Sequence, residues 1–287
     1  MKKNVLITGT SSGLGLETAI LFAQNGYKVF ATMRDLSKST FLADKIKSEK
    51  LGIEIFQLDV SNEVSVTTCV NQIIDEVERI DILINNAGGG FAKTTEQATE
   101  DEMKWVTDLN YFGVVRCTKA VLPNMRKFKN GRIINITSVG GLVGQPFNEF
   151  YCAAKFAVEG YTESLASYVE DEFGIKFSIV EPGGISTEFM KSSIAKTVTN
   201  GAMCHPDYTP VFQKYMAGVQ RRASESAERT YQTPNEVAAI ILSVANSEQP
   251  PLRIRTSEWA ENFCKIKTEA DPDGTKLLNS VKDRFLK

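Results

Sequence analysis

The chain opens with Asn4-Val5-Leu6-Ile7-Thr8-Gly9-Thr10-Ser11-Ser12-Gly13-Leu14-Gly15, an apolar run that leads directly into a glycine-rich turn. The run predicts a short buried strand, and the apolar-periodic segment that follows predicts a helix ending at Gly26. Glycines let a backbone turn tightly near a pyrophosphate, and a helix N-terminus offers free N–H groups. A plain strand-to-helix turn is the alternative, but this turn lies where a dinucleotide site requires it.

The alternation of strand and helix continues along most of the chain. Strand-like runs recur at 27–33, 53–58, 81–85, 131–137, 175–180 and 252–255, and helical patterns lie at 36–49, 64–78, 100–128, 151–173 and 233–245. This alternation predicts an α/β fold with a parallel sheet. The 287 residues contain no internal repeat and no linker, which predicts a single domain over 1–287.

Composition argues against several classes of function. The net charge is −2 and no basic stripe is present, so we expect neither nucleic acid nor a membrane surface as a partner. No stretch is long and apolar enough to span a bilayer. The N-terminus lacks a signal-peptide pattern and the five cysteines are scattered, which predicts a cytoplasmic protein with free thiols. His205 is the single histidine, so we expect no metal site.

The end of the second predicted strand, Thr32-Met33-Arg34-Asp35, bears on the choice of nicotinamide cofactor. An acidic residue there would bind the ribose 2′-hydroxyl of NAD, and a basic residue would accept the 2′-phosphate of NADP. Met33 occupies the position of the selecting acid and Arg34 follows it, which favours NADP. NAD stays possible, with Asp35 on the ribose and Arg34 as a solvated loop charge.

Polar residues follow other predicted strands. Asp59-Val60, after the third strand, would edge an adenine pocket or help to start the next helix. Asn85-Asn86-Ala87-Gly88-Gly89-Gly90, after the fourth, suits a backbone that bends close to a ligand, or an ordinary turn. Asn110 and Gly113 lie inside an otherwise apolar helical pattern, which indicates a kink or a task for the Asn110 side chain.

Ser138, Tyr151 and Lys155 are the candidates for the chemistry. Ser138 follows the fifth predicted strand, at the edge where open α/β sheets bind ligands. Tyr151 and Lys155 are four residues apart on a predicted helix, so their side chains share one face. Because a nearby ammonium favours the phenolate, we expect Lys155 to lower the pKa of Tyr151 and make it usable near neutral pH. We interpret Cys152 as a small buried side chain rather than a redox switch.

The alternation breaks down between 188 and 231. This stretch predicts either an apolar lid over the ligand edge of the sheet or surface helices with a small core of their own; its large apolar residues are Phe189, Met190, Met203, Tyr208, Phe212, Tyr215 and Met216. Thr233-Pro234-Asn235-Glu236 then predicts a helix start. The tail, 257–287, is a partly helical C-terminal extension with a turn at Asp271-Pro272-Asp273-Gly274.

Taken together, these segments resemble the short-chain dehydrogenase/reductase family in its non-extended form. The resemblance covers roughly 4–190 and the strand near Leu252, and its pieces occur in this order: Thr8-Gly9-xxx-Gly13-x-Gly15, Asn85-Asn86-Ala87-Gly88, Asn110, Ser138, Tyr151-xxx-Lys155 and Pro182-Gly183 with Thr187. Leu14 departs from the family's usual Ile. A weaker resemblance of 31–36, the lid and the tail is to hydroxysteroid and retinol dehydrogenases.

The resemblance implies an NAD(P)-dependent oxidoreductase with a doubly wound (Rossmann), seven-stranded parallel sheet in three α/β/α layers. It implies that Ser138 binds the substrate carbonyl and Tyr151 transfers the proton. Lys155 would hold the nicotinamide ribose, and Asn110 would anchor a water that connects Lys155 to solvent. The cofactor-binding residues implied are Gly9, Ser11, Ser12, Gly13, Leu14, Gly15, Arg34, Asp59, Val60, Asn86, Ala87, Gly88, Tyr151, Lys155, Pro182, Gly183, Ile185 and Thr187.

Three functions are compatible with these residues. The first is reduction of a carbonyl, or oxidation of an alcohol, on a bulky apolar substrate such as a steroid, retinoid or aromatic ketone, with NADPH favoured. The second is reduction of a 3-oxoacyl thioester, which calls for a basic patch that 188–220 does not offer. The third is a sensor or scaffold without catalysis, which need not retain Ser138, Tyr151 and Lys155. The resemblance also implies a homodimer or homotetramer.

Overall fold

The computed structural model describes residues 2–187, 206–221 and 231–283, and the backbone alone of 198–199, 202–203, 222–225 and 284–285. The strands are β1 (Asn4–Thr8), β2 (Lys28–Met33), β3 (Ile53–Gln57), β4 (Ile82–Asn85), β5 (Gly131–Ile136), β6 (Ile175–Glu181), β7 (Gly184–Ile185), β8 (Val198–Thr199), β9 (Ala202–Met203), β10 (Tyr231–Gln232) and β11 (Arg253–Arg255). The helices are α1 (Gly13–Gln24), α2 (Thr40–Glu49), α3 (Glu63–Val77), α4 (Glu100–Thr107), α5 (Gly113–Phe128), α6 (Glu149–Phe173), α7 (Thr209–Glu225), α8 (Pro234–Asn246), α9 (Glu258–Thr268) and α10 (Thr275–Phe285).

Seven strands form one parallel sheet in the order β11-β6-β5-β4-β1-β2-β3. Strand order reverses between β1 and β4, so the loops that follow these two strands diverge and leave a crevice at their carboxyl ends. The glycine-rich turn follows β1, and the Asn-Asn-Ala-Gly segment follows β4. The predicted doubly wound α/β fold is confirmed.

Helices cover both faces of the sheet, which is why the central strands read as continuous apolar runs. Along β1, Val5 and Ile7 pack with α1 and α8, whereas Leu6 packs on the opposite face with α3 and α5. All three side chains are fully buried.

The helix predicted over 100–128 is interrupted at the place where Asn110 indicated a kink. Asp108–Phe112 forms a π-helical turn between α4 and α5. The predicted start of α8 is confirmed: the Thr233 side chain and Glu236 form a capping box, and Pro234 occupies the first helical position. Gly274, with φ 77°, ends the predicted turn that begins at Asp271.

No helix in the described part of the chain is both long and apolar enough to cross a membrane. Cys69, Cys117, Cys152 and Cys264 are free and buried. Cys204 and His205 lie outside the described residues.

Candidate active site

The glycine-rich turn depends on glycine at three positions. Gly9 and Gly13 have φ of 74° and 57°, in the left-handed region that favours glycine. Gly15 has no room for a side chain, because a Cβ atom there would lie 2.2 Å from the Gly9 carbonyl oxygen and 2.4 Å from Asn86 Nδ2. The turn therefore fits closely against the segment that follows β4.

The N-terminus of α1 opens toward this turn without a competing anion. Ser12 precedes the helix with an extended backbone, its side chain makes no capping hydrogen bond, and the first turn contains no acidic residue. Leu14 packs into the core, so its backbone N–H alone faces the turn. Ser11 and Ser12, with the free N–H groups and the positive end of the helix dipole, suit a pyrophosphate.

Thr8 and Asn86 join the two loops of the crevice. Thr8 Oγ1 accepts hydrogen bonds from the backbone N–H groups of Asn86 and Ala87, both at 3.0 Å. Asn86 Nδ2 donates to the carbonyl oxygens of Thr8 at 2.9 Å and Gly9 at 3.1 Å. The Asn86 side chain therefore holds the glycine-rich turn through two of its carbonyl groups. Thr8, which holds the segment after β4 in return, is a positioning residue that is absent from the predicted site residues.

The end of β2 presents a cation to solvent. Met33 is buried in the core, so the first exposed side chain after the strand is that of Arg34. Asp35 caps the short 3-10 helix that follows it: its Oδ1 accepts from the Ser37 N–H at 3.0 Å and the Ser37 hydroxyl at 2.7 Å. These bonds lower the pKa of Asp35. Within the described residues Arg34 forms no ion pair, although its charge helps to lower the pKa of Asp35, whose Oδ1 is engaged by Ser37.

Asp59 and Val60 have structural tasks. Asp59 Oδ1 accepts from the Ser61 N–H at 3.0 Å and the Ser61 hydroxyl at 2.6 Å, which supports the interpretation that it helps to start α3. The Val60 side chain is buried, and a Cβ atom on Gly113 would lie 2.9 Å from its Cγ2. The Val60 carbonyl accepts from Arg116 at 3.1 Å. A cofactor could reach this pair only at the remaining Asp59 oxygen and the backbone.

Asn110 lies fully buried in the π-helical turn and ties it to the loop after β4. Its Nδ2 donates to the carbonyl oxygens of Gly89 and Val106, both at 2.9 Å, and its Oδ1 accepts from the Gly89 N–H at 3.1 Å. A Cβ atom on Gly88 would lie 2.8 Å from Asn110 Oδ1 and 3.7 Å from Lys155 Nζ. Asn110, Gly88 and Lys155 therefore meet at one point beside the crevice.

Ser138, Tyr151 and Lys155 come together although they lie on two elements. Ser138 follows β5 and begins the 3-10 turn Val139–Gly141, where its Oγ accepts from the Gly140 N–H at 3.0 Å. Its side chain also hydrogen-bonds Tyr151. Lys155 Nζ lies 5.8 Å from the centroid of the Tyr151 ring and donates to the Ile136 carbonyl oxygen at 3.0 Å.

The expected direction of the Tyr151 pKa was wrong for this structure. Burial raises the pKa of Tyr151 to about 12, and the hydrogen bond with Ser138 opposes that rise. Burial also lowers the pKa of Lys155 to about 8, against the attraction of Glu159. The spacing in sequence correctly predicted that the ammonium lies near the phenol. It carries no information on burial, which determines the direction of the pKa shift of both groups.

The segment after β6 closes the crevice. The Pro182 carbonyl accepts from the Val139 N–H at 2.9 Å, and Gly183 packs under Trp259, whose ring would lie 3.0 Å from a Cβ atom there. Ile185 pairs with Gln232 in the short β7–β10 ladder and packs against the core. Thr187 reaches the glycine-rich turn, with its Cγ2 3.3 Å from a Cβ atom placed on Gly13.

An aromatic cluster joins α7 to the segment that leads into α6, the helix that carries Tyr151. Phe147, buried and with φ 63°, places its ring centroid 5.2 Å from that of Phe212 and 5.4 Å from that of Tyr215 on α7. Tyr208, just before α7, donates from its hydroxyl to Glu96 Oε1 at 2.8 Å. The apolar face of α7 thus packs on Phe147, in the segment that leads into α6, and forms a small separate cluster with it. The lid stays a prediction. Phe189, Met190 and the Met203 side chain lie outside the described residues.

Cys152 is buried beside Gly140, as interpreted, and burial raises the pKa of its thiol. The described residues contain no cluster of three metal-binding side chains. The glycine cradle and the uncapped start of α1 together fit a dinucleotide.

Comparison with known proteins points to the same chemistry. Residues 3–197 match a family model described as short chain dehydrogenase. The chain is 39% identical over 266 residues to 3-ketodihydrosphingosine reductase of Bacteroides thetaiotaomicron, covering 92% of this chain and 91% of that protein. It is 40% identical over 279 residues to retinol dehydrogenase 8 of Bos taurus, covering 95% and 87%. The solved structure of ElxO with NADP bound is similar with a TM-score of 0.72 and 30% identity, covering 89% of this chain and 98% of that one.

Proposed function

We propose that this chain uses NADPH to reduce the carbonyl of a bulky apolar substrate. The chain belongs to the short-chain dehydrogenase family and is an oxidoreductase acting on carbonyl or alcohol groups. The observation that carries the proposal is the meeting of Ser138, Tyr151 and Lys155 beside the crevice between β1 and β4. This is the edge of a doubly wound sheet where ligands bind.

The choice of NADPH rests on the end of β2. The exposed Arg34 guanidinium is available for the 2′-phosphate, whereas one oxygen of the Asp35 carboxylate is engaged by Ser37. An unengaged acid would favour the ribose 2′-hydroxyl of NAD instead. The ElxO structure has NADP bound, which agrees with this choice.

In the proposed reaction, Ser138 donates a hydrogen bond to the substrate carbonyl oxygen and Tyr151 donates the phenolic proton to it. The nicotinamide, when bound, supplies the hydride. Since burial raises the pKa of Tyr151 to about 12, the phenol enters reduction fully protonated. The Lys155 ammonium favours the phenolate that remains and binds the nicotinamide ribose. General acid catalysis of this kind contributes about 10²–10⁴-fold to the rate.

The apolar substrate class rests chiefly on the named relatives. Phe147 and Phe212 are buried against each other and anchor α7 on the segment that leads into α6, the helix that carries Tyr151. The named activities of two relatives concern a long-chain keto base and retinol, which are both extended apolar molecules. We therefore propose a ketone on an extended hydrocarbon frame, held by the lid, as the substrate class, and steroids and aromatic ketones belong to the same screen.

Assembly through α4, α5 and α6 is part of the proposal. Phe112, in the π-helical turn between α4 and α5, and Tyr168 on α6 expose 46% and 47% of their surface, which is apolar area that a second copy would cover. Light scattering on the purified chain would report a dimer or tetramer if this face associates, and a monomer would exclude it.

Cofactor titration tests the proposal most directly. We expect NADPH to quench the protein fluorescence at lower concentration than NADH, and we expect Arg34→Ala to abolish that preference while leaving NADH binding unchanged. Lys38→Ala, a nearby cation on the short 3-10 helix, is the matched control and should keep the preference for NADPH. Preference of the unaltered chain for NADH would refute the assignment of the 2′-phosphate site. Binding of neither cofactor would refute the proposed function.

A further inference from the structure

Two glutamates and two arginines form a buried cluster behind the candidate active site. Glu159 on α6 and Glu181 at the end of β6 have side chains exposed to 5% and 0%. Arg253 and Arg255 on β11 are exposed to 12% and 4%. Charged groups this deeply buried must find partners inside the protein.

The two carboxyl groups share one guanidinium and also contact each other. Arg253 Nε lies 3.0 Å from Glu159 Oε2 and 3.4 Å from Glu181 Oε1, and Arg255 Nη1 lies 3.2 Å from Glu181 Oε2. The Glu159 and Glu181 carboxyls are within hydrogen-bonding contact. Nevertheless, Glu181 Oε1 accepts no hydrogen bond from any donor in the described residues.

The balance of charges explains why Glu181 Oε1 accepts no hydrogen bond. Glu163 and Glu261 bind the outer sides of Arg253 and Arg255, so four carboxyl groups surround two guanidiniums. Two ionised carboxylates in contact without water repel each other, and one of them takes up a proton. A proton held between Glu159 and Glu181 would supply the donor that Glu181 Oε1 lacks.

The cluster reaches the active site through Thr137. The Thr137 hydroxyl donates to Glu159 Oε1 at 2.7 Å, and the next residue is Ser138. Glu159 lies one helical turn after Lys155, and a Cβ atom on Gly141 would be 2.9 Å from Glu159 Oε1. The turn that begins at Ser138 therefore packs directly against the Glu159 carboxyl.

We infer that Glu159 and Glu181 share one proton and form a positioning pair, which fixes Ser138 through Thr137 and keeps the Lys155 ammonium charged. The inference rests on the proposed function, since Ser138 and Lys155 are its catalytic residues. Neither glutamate touches the reacting atoms.

Electrostatics agree with the geometry. Burial raises the pKa of Glu181 to about 9 and also raises the pKa of Glu159. The negative charge of Glu159 raises the pKa of Lys155 against the effect of burial. The titratable and charged groups that face the pair are Lys155 and Glu163 from α6, Arg253 and Arg255 from β11, and Glu261 and Cys264 from α9.

Substitutions at Glu159 and Thr137 distinguish the positioning of Ser138 from the charge near Lys155. Glu159→Gln keeps an oxygen for the Thr137 hydroxyl but leaves the pair's single negative charge on Glu181, and only Glu159 acts on Lys155. The alkaline limb of the kcat profile should therefore move to lower pH by at least about 0.5 unit. Thr137→Val removes the hydrogen bond to Glu159 and keeps the charge, so kcat should fall about tenfold while the alkaline limb stays at the same pH. Thr137→Ser keeps the hydroxyl and should restore kcat. Glu172→Gln, an exposed carboxylate near the end of α6 and outside the cluster, is the matched control and should leave both kcat and the limb unchanged.

Unfolding at different pH values tests the shared proton without any activity. Because the pKa of Glu181 in the folded chain, about 9, lies above its ordinary 4.5, the folded chain holds a proton that the unfolded chain releases. Stability must therefore fall as pH rises from roughly 5 to 9. Glu181→Gln, a neutral carboxamide of the same shape, should flatten the dependence of Tm on pH over this range.

The outcomes distinguish the inference from the proposed function. Parallel Tm curves for the parent chain and Glu181→Gln would overturn the shared proton, whatever the enzyme does. If the alkaline limb of the kcat profile lies at the same pH in Glu159→Gln as in the parent chain, the inferred effect of Glu159 on Lys155 is overturned. A chain that never consumes NADPH would refute the proposed function, while the Tm curves would still report on the pair.

Discussion

Replacing Asn110 with Leu should damage both stability and catalysis, whereas the same change at Asn124 should damage stability alone. Both asparagines are buried and both fasten a loop next to β4. Asn110 fastens the loop at the carboxyl end of the strand, beside the crevice. Asn124 fastens the segment at the amino end: its Oδ1 accepts from the Ile80 N–H at 3.0 Å, and its Nδ2 donates to the Glu78 carbonyl at 2.9 Å.

The stability cost follows from the backbone groups left without partners. Asn110→Leu removes the side-chain partner of the Val106 carbonyl and of both backbone groups of Gly89, and Asn124→Leu removes that of the Ile80 N–H and the Glu78 carbonyl. A buried polar group without a partner costs about 1–3 kcal/mol, and less where water can enter, as at Gly89. We expect each variant to lose about 2–4 kcal/mol of unfolding free energy, measured by urea denaturation.

The catalytic cost should differ between the two variants. Without Asn110 the Gly88–Gly89 loop loses its fixed position beside Lys155, and misplacement by about 1 Å can cost on the order of 10²-fold in rate. Initial rates of NADPH oxidation, measured where each variant is fully folded, should therefore show a large loss of kcat for Asn110→Leu and none for Asn124→Leu. Equal kcat values for the two variants would refute the reasoning.

Three further predictions concern Lys155 and the lid. Because burial lowers the pKa of Lys155 to about 8 while Tyr151 keeps its proton to about 12, kcat for reduction should be flat from pH 6 to 7.5 and decline above about 8; a rise there would contradict the roles assigned. The Lys155→Met variant should gain about 2 kcal/mol of unfolding free energy at pH 7. It removes the cost of burying the ammonium, which lowers the pKa of Lys155 from 10.5 to about 8, and the loss of the hydrogen bond to the Ile136 carbonyl reduces this gain. That gain should shrink as pH rises above 8, and calorimetry that found no gain at pH 7 would count against a buried ammonium. Tyr208→Phe keeps the ring but loses the hydrogen bond to Glu96, so KM for an apolar ketone should rise about threefold at constant kcat; an unchanged KM would exclude a role of this bond in substrate binding.

Local sequence signals predicted the fold and most of the candidate site. Buried parallel strands read as apolar runs, and glycines with positive φ mark the turn after β1. The unfavourable Asn110 in a helical pattern correctly indicated the break between α4 and α5. These signals lie within a few residues of the features that they predict.

Features built from distant residues left no such signal. Glu159 meets Arg253 across 94 positions, and Thr8 meets Asn86 across 78, so neither pair forms a pattern within any window of sequence. The pKa of Tyr151 was assigned the wrong direction for a related reason. Helical spacing showed that Lys155 would be near, but burial depends on every element that packs around the phenol, and burial dominates.

The most direct test of the central claim compares Tyr151→Phe with the parent chain in two assays. If Tyr151 is the proton donor, the variant should bind NADPH with the same affinity by fluorescence titration while its kcat for ketone reduction falls by about 10²–10⁴-fold. Turnover equal to that of the parent chain would contradict the account, because no other group at the crevice was assigned the proton.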